Sequence, residues 1–250
     1  MPYFFIPSED IQEKKATLKG AAAKHLKQVL RATVGEEIIL FDGEGNQYIG
    51  KIDSLGKEIS VTILQKRKVP ENPVKITLAQ AWLKKDKMEW VIQKATELGV
   101  EQILPFSSSR TIPKWSGGEK QERWDKIALA AAEQCGRATL PTILPAASFE
   151  KTISSFETCD VKLILWEKET EKHLKDIFRE PFVGAGLRQR ESEIKNLLFV
   201  IGPEGGFSEE EVTAAQKNGF IPVSLGQRIL RAETAALSVL TILQYELGGL

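Results

Sequence analysis

Two cysteines in 250 residues, Cys135 and Cys159, leave little material for redox or metal chemistry. They stand apart, without CxxC spacing or a histidine cluster beside them, which argues against a disulfide framework or a zinc site. Free thiols suit a reducing compartment, so a cytoplasmic location is expected. Histidine is as scarce: His25 has His173 as its one companion, and no metal is expected. No apolar run approaches the ~20 residues that a membrane span needs. The opening MPYFFIPSED has neither the basic start nor the apolar core of a secretion signal. An excess of either charge is missing too, with 34 basic residues against 34 acidic ones. No overall field then draws the chain to nucleic acid or membrane, and any basic attraction must be local.

What is present divides near Val69-Pro70-Glu71-Asn72-Pro73, where two prolines and an asparagine interrupt regular structure. Residues 1–70 read as a small β-barrel, with strands at Glu37–Asp42, Gln47–Asp53 and Glu58–Gln65 and a helix at Ala21–Arg31. That helix carries Ala22, Leu26, Val29 and Leu30 on one face. Residues 74–250 alternate strand and helix. Strands are expected at Val74–Ala81, Val100–Pro105, Val161–Trp166, Leu197–Gly202 and Ile221–Leu225. Helices are expected at Asp86–Leu98, Lys120–Cys135, Glu209–Asn218 and Glu233–Leu247, and Arg179–Asn196 reads as an irregular charged connection. Such alternation predicts an α/β domain with a mostly parallel sheet covered on both faces.

Two loops stand out. Strand Leu197–Ile201 runs into Gly202-Pro203-Glu204-Gly205-Gly206, and the helix behind it starts with complete signals. Ser208 and Glu211 have the spacing of a capping box, and Phe207 and Val212 that of a hydrophobic staple. The loop has neither GxGxxG order nor a Gly-Lys-Ser/Thr ending. Pro203 removes an amide donor and Glu204 adds a carboxylate, so a neutral or cationic ligand fits better than a triphosphate. Leu225-Gly226-Gln227-Arg228-Ile229-Leu230-Arg231 forms the second loop, ahead of a helix striped by Ala236, Val239, Leu240, Leu243 and Leu247. With a third loop after Trp166-Glu167, both would open on one sheet edge, where α/β folds bind ligands.

These blocks resemble the SPOUT methyltransferases, and within them the RsmE family, which methylates N3 of a uridine in small-subunit 16S ribosomal RNA. The resemblance rests on His25-Leu26 with Val29-Leu30-Arg31, Gln93–Val100, Arg123-Trp124 with Ala131–Gln134, Ile201–Phe207 and Leu225–Ala235. It implies a PUA-like barrel at 1–70 that binds RNA, and a knotted catalytic domain at 74–250 whose C-terminal segment forms a trefoil knot. It implies S-adenosylmethionine as cofactor and a homodimer. The cofactor would be held by Leu165, Trp166, Ile201, Gly202, Pro203, Gly205, Gly206, Leu225, Gly226, Ile229, Leu230 and Thr234. Glycines would let it approach the main chain, and Leu225, Ile229 and Leu230 would supply apolar walls.

N3 must lose its proton, and the resulting charge spreads over the two uracil oxygens. Arg231 and then Arg228 are the candidate donors to those oxygens, and Glu204 a candidate base. Each has a plainer alternative: Glu204 could bond nearby helix amides, and the arginines could pair with Glu233 or place phosphates. Basic residues Lys14, Lys15, Lys19, Lys24, Lys27 and Arg31 are interrupted by no acid, and Lys66-Arg67-Lys68 adds a second cluster. Lys24, His25, Lys27, Arg31, Arg110 and Arg137 are the candidate RNA contacts. Trp82, Trp90, Trp124 and Trp166 read as core or interface anchors, and Trp115 as a base-stacking candidate. Two further functions compete: a related methyltransferase acting on another RNA such as transfer RNA, and a silent RNA-binding ribosome-assembly factor.

Overall fold

The computed structural model describes residues 1–70, 72–84, 86–111, 119–179 and 194–249. Trp115, the stretch 112–118 and most of the connection 179–196 lie outside them. The chain forms two compact units, Met1–Glu71 with Leu129–Leu140, and Asn72–Ala128 with Pro141–Leu250.

In the first unit β1 (Tyr3–Phe5), β2 (Ile11–Gln12) and β3 (Lys15–Leu18) precede a short α1 (Gly20–Lys24). Strands β4 (Glu37–Phe41), β5 (Asn46–Leu55) and β6 (Ile59–Lys68) follow. They make a six-stranded sheet in the order β1-β4-β5-β6-β3-β2, antiparallel except where β1 runs along β4. Phe4, Ile6, Leu18, Leu26, Ile38, Leu40, Ile52, Ile59 and Val61 fill its core. The predicted helix is only partly as expected. After Lys24 it widens into a π turn over His25–Val29, and Arg31 takes a left-handed φ of 53°. A wider turn breaks the 3.6-residue phase, so Leu26 is buried while Val29 and Leu30 face solvent at 67% and 45% exposure. Residues 129–140 also depart from the sequence reading, which put them with the second part. A small cluster explains it: Ala132 and Ala138 pack with Phe41, while Gly45 N donates to Ala138 O and Phe5 N to Glu133 Oε1.

The second unit begins with β7 (Lys75–Ala81), α2 (Lys87–Glu97) and β8 (Gln102–Ser107). Helix α3 (Glu119–Cys135), whose residues 129–135 belong to the first unit, β9 (Thr142–Ile143), β10 (Ala147–Ser148), α4 (Phe149–Ser154), β11 (Val161–Leu165) and α5 (Leu174–Arg179) come next. Then β12 (Asn196–Ile201), α6 (Glu209–Lys217), β13 (Ile221–Val223) and α7 (Ala232–Glu246) complete it. All pairs in this sheet are parallel, in the order β10-β8-β7-β12-β11-β13, with β9 beside β8. Both faces are covered, as parallel sheets require. Along β12, Leu197, Phe199 and Ile201 enter one apolar cluster, and Leu198 and Val200 the other.

The expected stripe of α7 is buried throughout, from Ala236 to Leu247. Val239, Leu240 and Leu243 are fully covered, each contributing roughly 1.5–3 kcal/mol of burial. Packing therefore holds α7, whose first turn has no side-chain cap. Helix α6 is held at its start instead. Ser208 Oγ accepts from Glu211 N, Glu211 Oε2 accepts from Ser208 N, and Phe207 and Val212 are buried in one cluster.

Candidate functional site

Strands β12, β11 and β13 are neighbours and parallel, so the loops leaving Ile201, Leu165 and Val223 emerge side by side. Strands β7 and β8 build outward on one side of β12, and β11 and β13 on the other. The carboxyl edge at such a reversal of strand order is where open α/β sheets leave a crevice. Here it is a cavity of about 500 Å³, lined by residues 165–167, 201–207, 223–226 and 228–232 together with Lys87 and Ala235.

The candidate residues Leu165, Trp166, Ile201, Gly202, Pro203, Gly205, Gly206, Leu225, Gly226, Ile229 and Leu230 all border this cavity, as do Glu204, Arg228 and Arg231. Thr234 is exposed and does not line it. Ile229 lines the cavity near its mouth, where it is 81% exposed. Lys87, Glu167, Ser224 and Ala232 were missed. Glu167 and Ser224 adjoin residues already singled out, whereas Lys87 arrives from a distant helix with no local signal.

The loop glycines also serve packing within the protein. A Cβ on Gly202 would meet the Phe207 ring at 3.1 Å, and one on Gly205 would meet Arg110 Cβ at 3.3 Å. One on Gly206 would lie 2.5 Å from Glu167 Oε1. These glycines let the loop pack against its own protein. Among the glycines bordering the cavity, Gly226, with φ of 111° and nothing within 4 Å of a Cβ, is the one that faces open space.

One cation organises the carboxylates. Lys87 Nζ lies 3.2 Å from Glu233 Oε1 and 3.5 Å from Glu204 Oε1, and Glu204 Oε1 also accepts from Lys84 N at 3.4 Å. Glu233 is thus taken by Lys87, not by an arginine. Among the described residues the guanidinium groups of Arg228 and Arg231 have no ion-pair or hydrogen-bond partner, and both residues are exposed. Two buried polar atoms nearby are also without partners: Trp166 Nε1 on the lining, and Glu233 Oε2 in the first turn of α7.

The donor set suits S-adenosylmethionine. An unpaired indole N–H gives a donor, and the uncapped first turn of α7 leaves amides free for a carboxylate. The size lies within the usual range for small-molecule sites of about 300–1,000 Å³. Among the described residues no group of three or more His, Cys, Asp or Glu could hold a metal.

The remaining basic candidates are spread more widely. In the first unit Lys24, His25, Lys27 and Arg31 are exposed, with Lys27 Nζ donating to Gly56 O and His25 edge-on to Phe4. Lys19 is paired with Asp10, which removes one charge from the basic run. Arg137 Nε donates to Thr139 Oγ1 at 2.9 Å. Arg110 belongs to the second unit, where its Nη1 donates to Gly205 O at 3.0 Å. Trp82 and Trp124 are buried against each other, and Trp90 is 43% exposed.

Comparison with known proteins agrees with this geometry. Residues 70–244 match an RNA methyltransferase domain family, and residues 18–64 an RNA methyltransferase PUA domain. The chain is 31% identical to ribosomal RNA small subunit methyltransferase E of Bacillus subtilis, over 98% of this chain and 96% of that one. The Synechocystis protein of the same name is 32% identical, over 92% and 73%. The crystal structure of the Neisseria gonorrhoeae enzyme of that name, bound to S-adenosyl methionine, superimposes with a TM-score of 0.84 at 35% identity. That match covers 98% of this chain and 97% of the other.

Proposed function

Because the chain belongs to the RNA methyltransferase family that includes ribosomal RNA small subunit methyltransferase E, we propose that it methylates N3 of one uridine in 16S ribosomal RNA. It is an S-adenosylmethionine-dependent methyltransferase of small-subunit ribosomal RNA. The observation that carries this is the cavity at the carboxyl edge of β12, β11 and β13, with its unpaired Trp166 N–H and two unengaged arginines.

When bound, the cofactor supplies a methyl group made electrophilic by its sulfonium. The chain's own residues do the rest. Backbone groups of 201–206 and 225–230 orient the ligand, and the Trp166 N–H donates to it. Thr234, though outside the lining, stands on the first turn of α7, whose free amides would suit a carboxylate. Uridine N3 lies on the pairing edge of the base, so the nucleotide must be unpaired or turned out to enter. Arg231, with Arg228 behind it, donates to the uracil oxygens as they gain negative charge. Glu204, fixed by Lys84 N and Lys87, receives the N3 proton. Lys24, His25, Lys27, Arg31 and Arg137 place RNA phosphates without reading sequence.

The protein works as a cytoplasmic homodimer in this account. Exposed Ile242 and Tyr245 on α7 supply apolar surface for a second copy. Among the described residues no helix is long and apolar enough to cross a membrane.

The test is methyl transfer from labelled S-adenosylmethionine to small ribosomal subunits lacking the modification, followed by mass mapping. Label at N3 of a single uridine is expected. Label on transfer RNA alone would replace the substrate, and cofactor binding without label on any RNA would remove the activity.

A further inference from the structure

We propose that Arg110 is a positioning residue of the cofactor loop, and that Glu211 is its counterpart on the other side of Gly206. Arg110 stands in the turn that follows β8, two strands away from β12. That turn is closed on itself, with Ser108 N donating to Thr111 Oγ1 at 2.8 Å and Thr111 N to Ser108 O at 3.1 Å. It offers a fixed platform rather than a free arm.

From this platform two bonds reach the glycine loop. Arg110 Nη1 donates to Gly205 O at 3.0 Å and to Phe207 O at 3.4 Å, on either side of Gly206. Ser109 N donates to Glu211 Oε1 at 2.8 Å, and the other oxygen of that carboxylate holds Ser208 N. Glu211 is buried, so its bonds are shielded from water. The residue therefore does more than cap α6: it ties the helix start to the turn after β8. The Arg110 stem also packs against the face of Gly205, where a Cβ would meet Arg110 Cβ at 3.3 Å and Cδ at 3.6 Å.

The consequence is mechanical. Gly205 and Gly206 line the cavity, and Gly206 holds a φ of 67°. A glycine-rich segment has many accessible conformations, and fixing it in one costs entropy that the ligand would otherwise have to offset. Arg110 and Glu211 fix it in advance. The two hydrogens of Nη1 lie in the rigid guanidinium plane, so their directions are fixed in a way that a lysine ammonium's are not. The sequence reading placed Arg110 among the RNA contacts; in the structure its Nη1 bonds to loop carbonyls. Arg110 thus acts on cofactor affinity through Gly205–Phe207, with no contact to RNA needed.

This inference rests on the cavity being the S-adenosylmethionine site, and the experiment separates the two. S-adenosylhomocysteine is titrated calorimetrically into the full chain, and deproteinised small-subunit ribosomal RNA is bound across a salt series without cofactor. For Arg110→Ala we expect cofactor affinity about tenfold weaker, as for one lost charge-assisted bond, with the RNA salt slope unchanged. In turnover the KM for S-adenosylmethionine rises by a similar factor while kcat at saturation stays within twofold. Arg110→Lys recovers part of the affinity, and Glu211→Gln, which keeps one oxygen, weakens it about threefold. An unchanged affinity in Arg110→Ala overturns the proposal. A salt slope reduced by about one would instead make Arg110 a phosphate contact. No binding by the unsubstituted chain sinks the cofactor site itself, and this inference with it.

Discussion

Gly206→Ala probes the cofactor loop at its tightest point. Gly206 has a φ of 67°, and a Cβ there would lie 2.5 Å from Glu167 Oε1 and 3.0 Å from its Cδ. A left-handed conformation costs a residue with a Cβ roughly 1–2 kcal/mol. The contact with Glu167 is with the far end of a flexible, exposed side chain, which can swing aside at little cost. The backbone term therefore dominates, and for a protein of this size it lowers Tm by about 2–8 °C. Affinity should suffer separately, because Glu167 and residues 201–207 all border the cavity. Whichever yields, the loss of one well-placed bond to the ligand weakens binding about tenfold. Scanning calorimetry and titration with S-adenosylhomocysteine measure both. Adding Glu167→Ala should leave the Tm deficit in place. A full recovery of Tm in that double variant would show that the side-chain contact, not the backbone, carries the cost. An unchanged Tm and affinity in Gly206→Ala would refute the reasoning altogether.

Removing Lys87 tests the carboxylate cluster. Lys87→Met leaves Glu233, already with one buried unpaired oxygen, without its cation, and should cost about 1–2 kcal/mol in chemical denaturation. Glu233→Gln in the same background should recover most of it. Arg231→Ala should lower kcat about a hundredfold while cofactor affinity changes less than threefold, since its role is exercised as charge develops on the base; equal losses in single-turnover kinetics and in binding would make it a binding residue. The first unit should weaken in acid through Asp42. Burial alone would raise that carboxyl, but the amides of Glu44 and Asn46, the Asn46 side chain and the Tyr48 hydroxyl outweigh it and hold it below 3.8. Its contribution is complete above that ordinary value and is lost as pH falls through the depressed one. Burial and the same carboxylate push Tyr48 up to about 12. Asp42→Asn should flatten the acid limb of stability below about pH 4, followed by fluorescence or circular dichroism.

Local signals carried most of the architecture. The capping box at Ser208 and Glu211, the staple of Phe207 and Val212, and the stripe of α7 involve neighbours within a turn or two, and each is present. Strands β2, β9 and β10 escaped notice because two residues have no period to detect. The exposure of Val29 and Leu30 follows from a π turn, a change of phase that a 3.6-residue pattern does not contain. The bordering residues of the cavity were legible because three loops leave adjacent parallel strands. What holds them was not. Lys87 and Arg110 reach Glu204 and Gly205 across 117 and 95 positions of chain, and no motif links residues so far apart.

The central claim is that the cavity formed by these three loops is the cofactor site. Hydrogen–deuterium exchange of the full chain, with and without S-adenosylmethionine, tests it without altering a residue. Slower exchange confined to 165–167, 201–207 and 223–235 is the expected result. Protection elsewhere, or none at saturating cofactor, would contradict it.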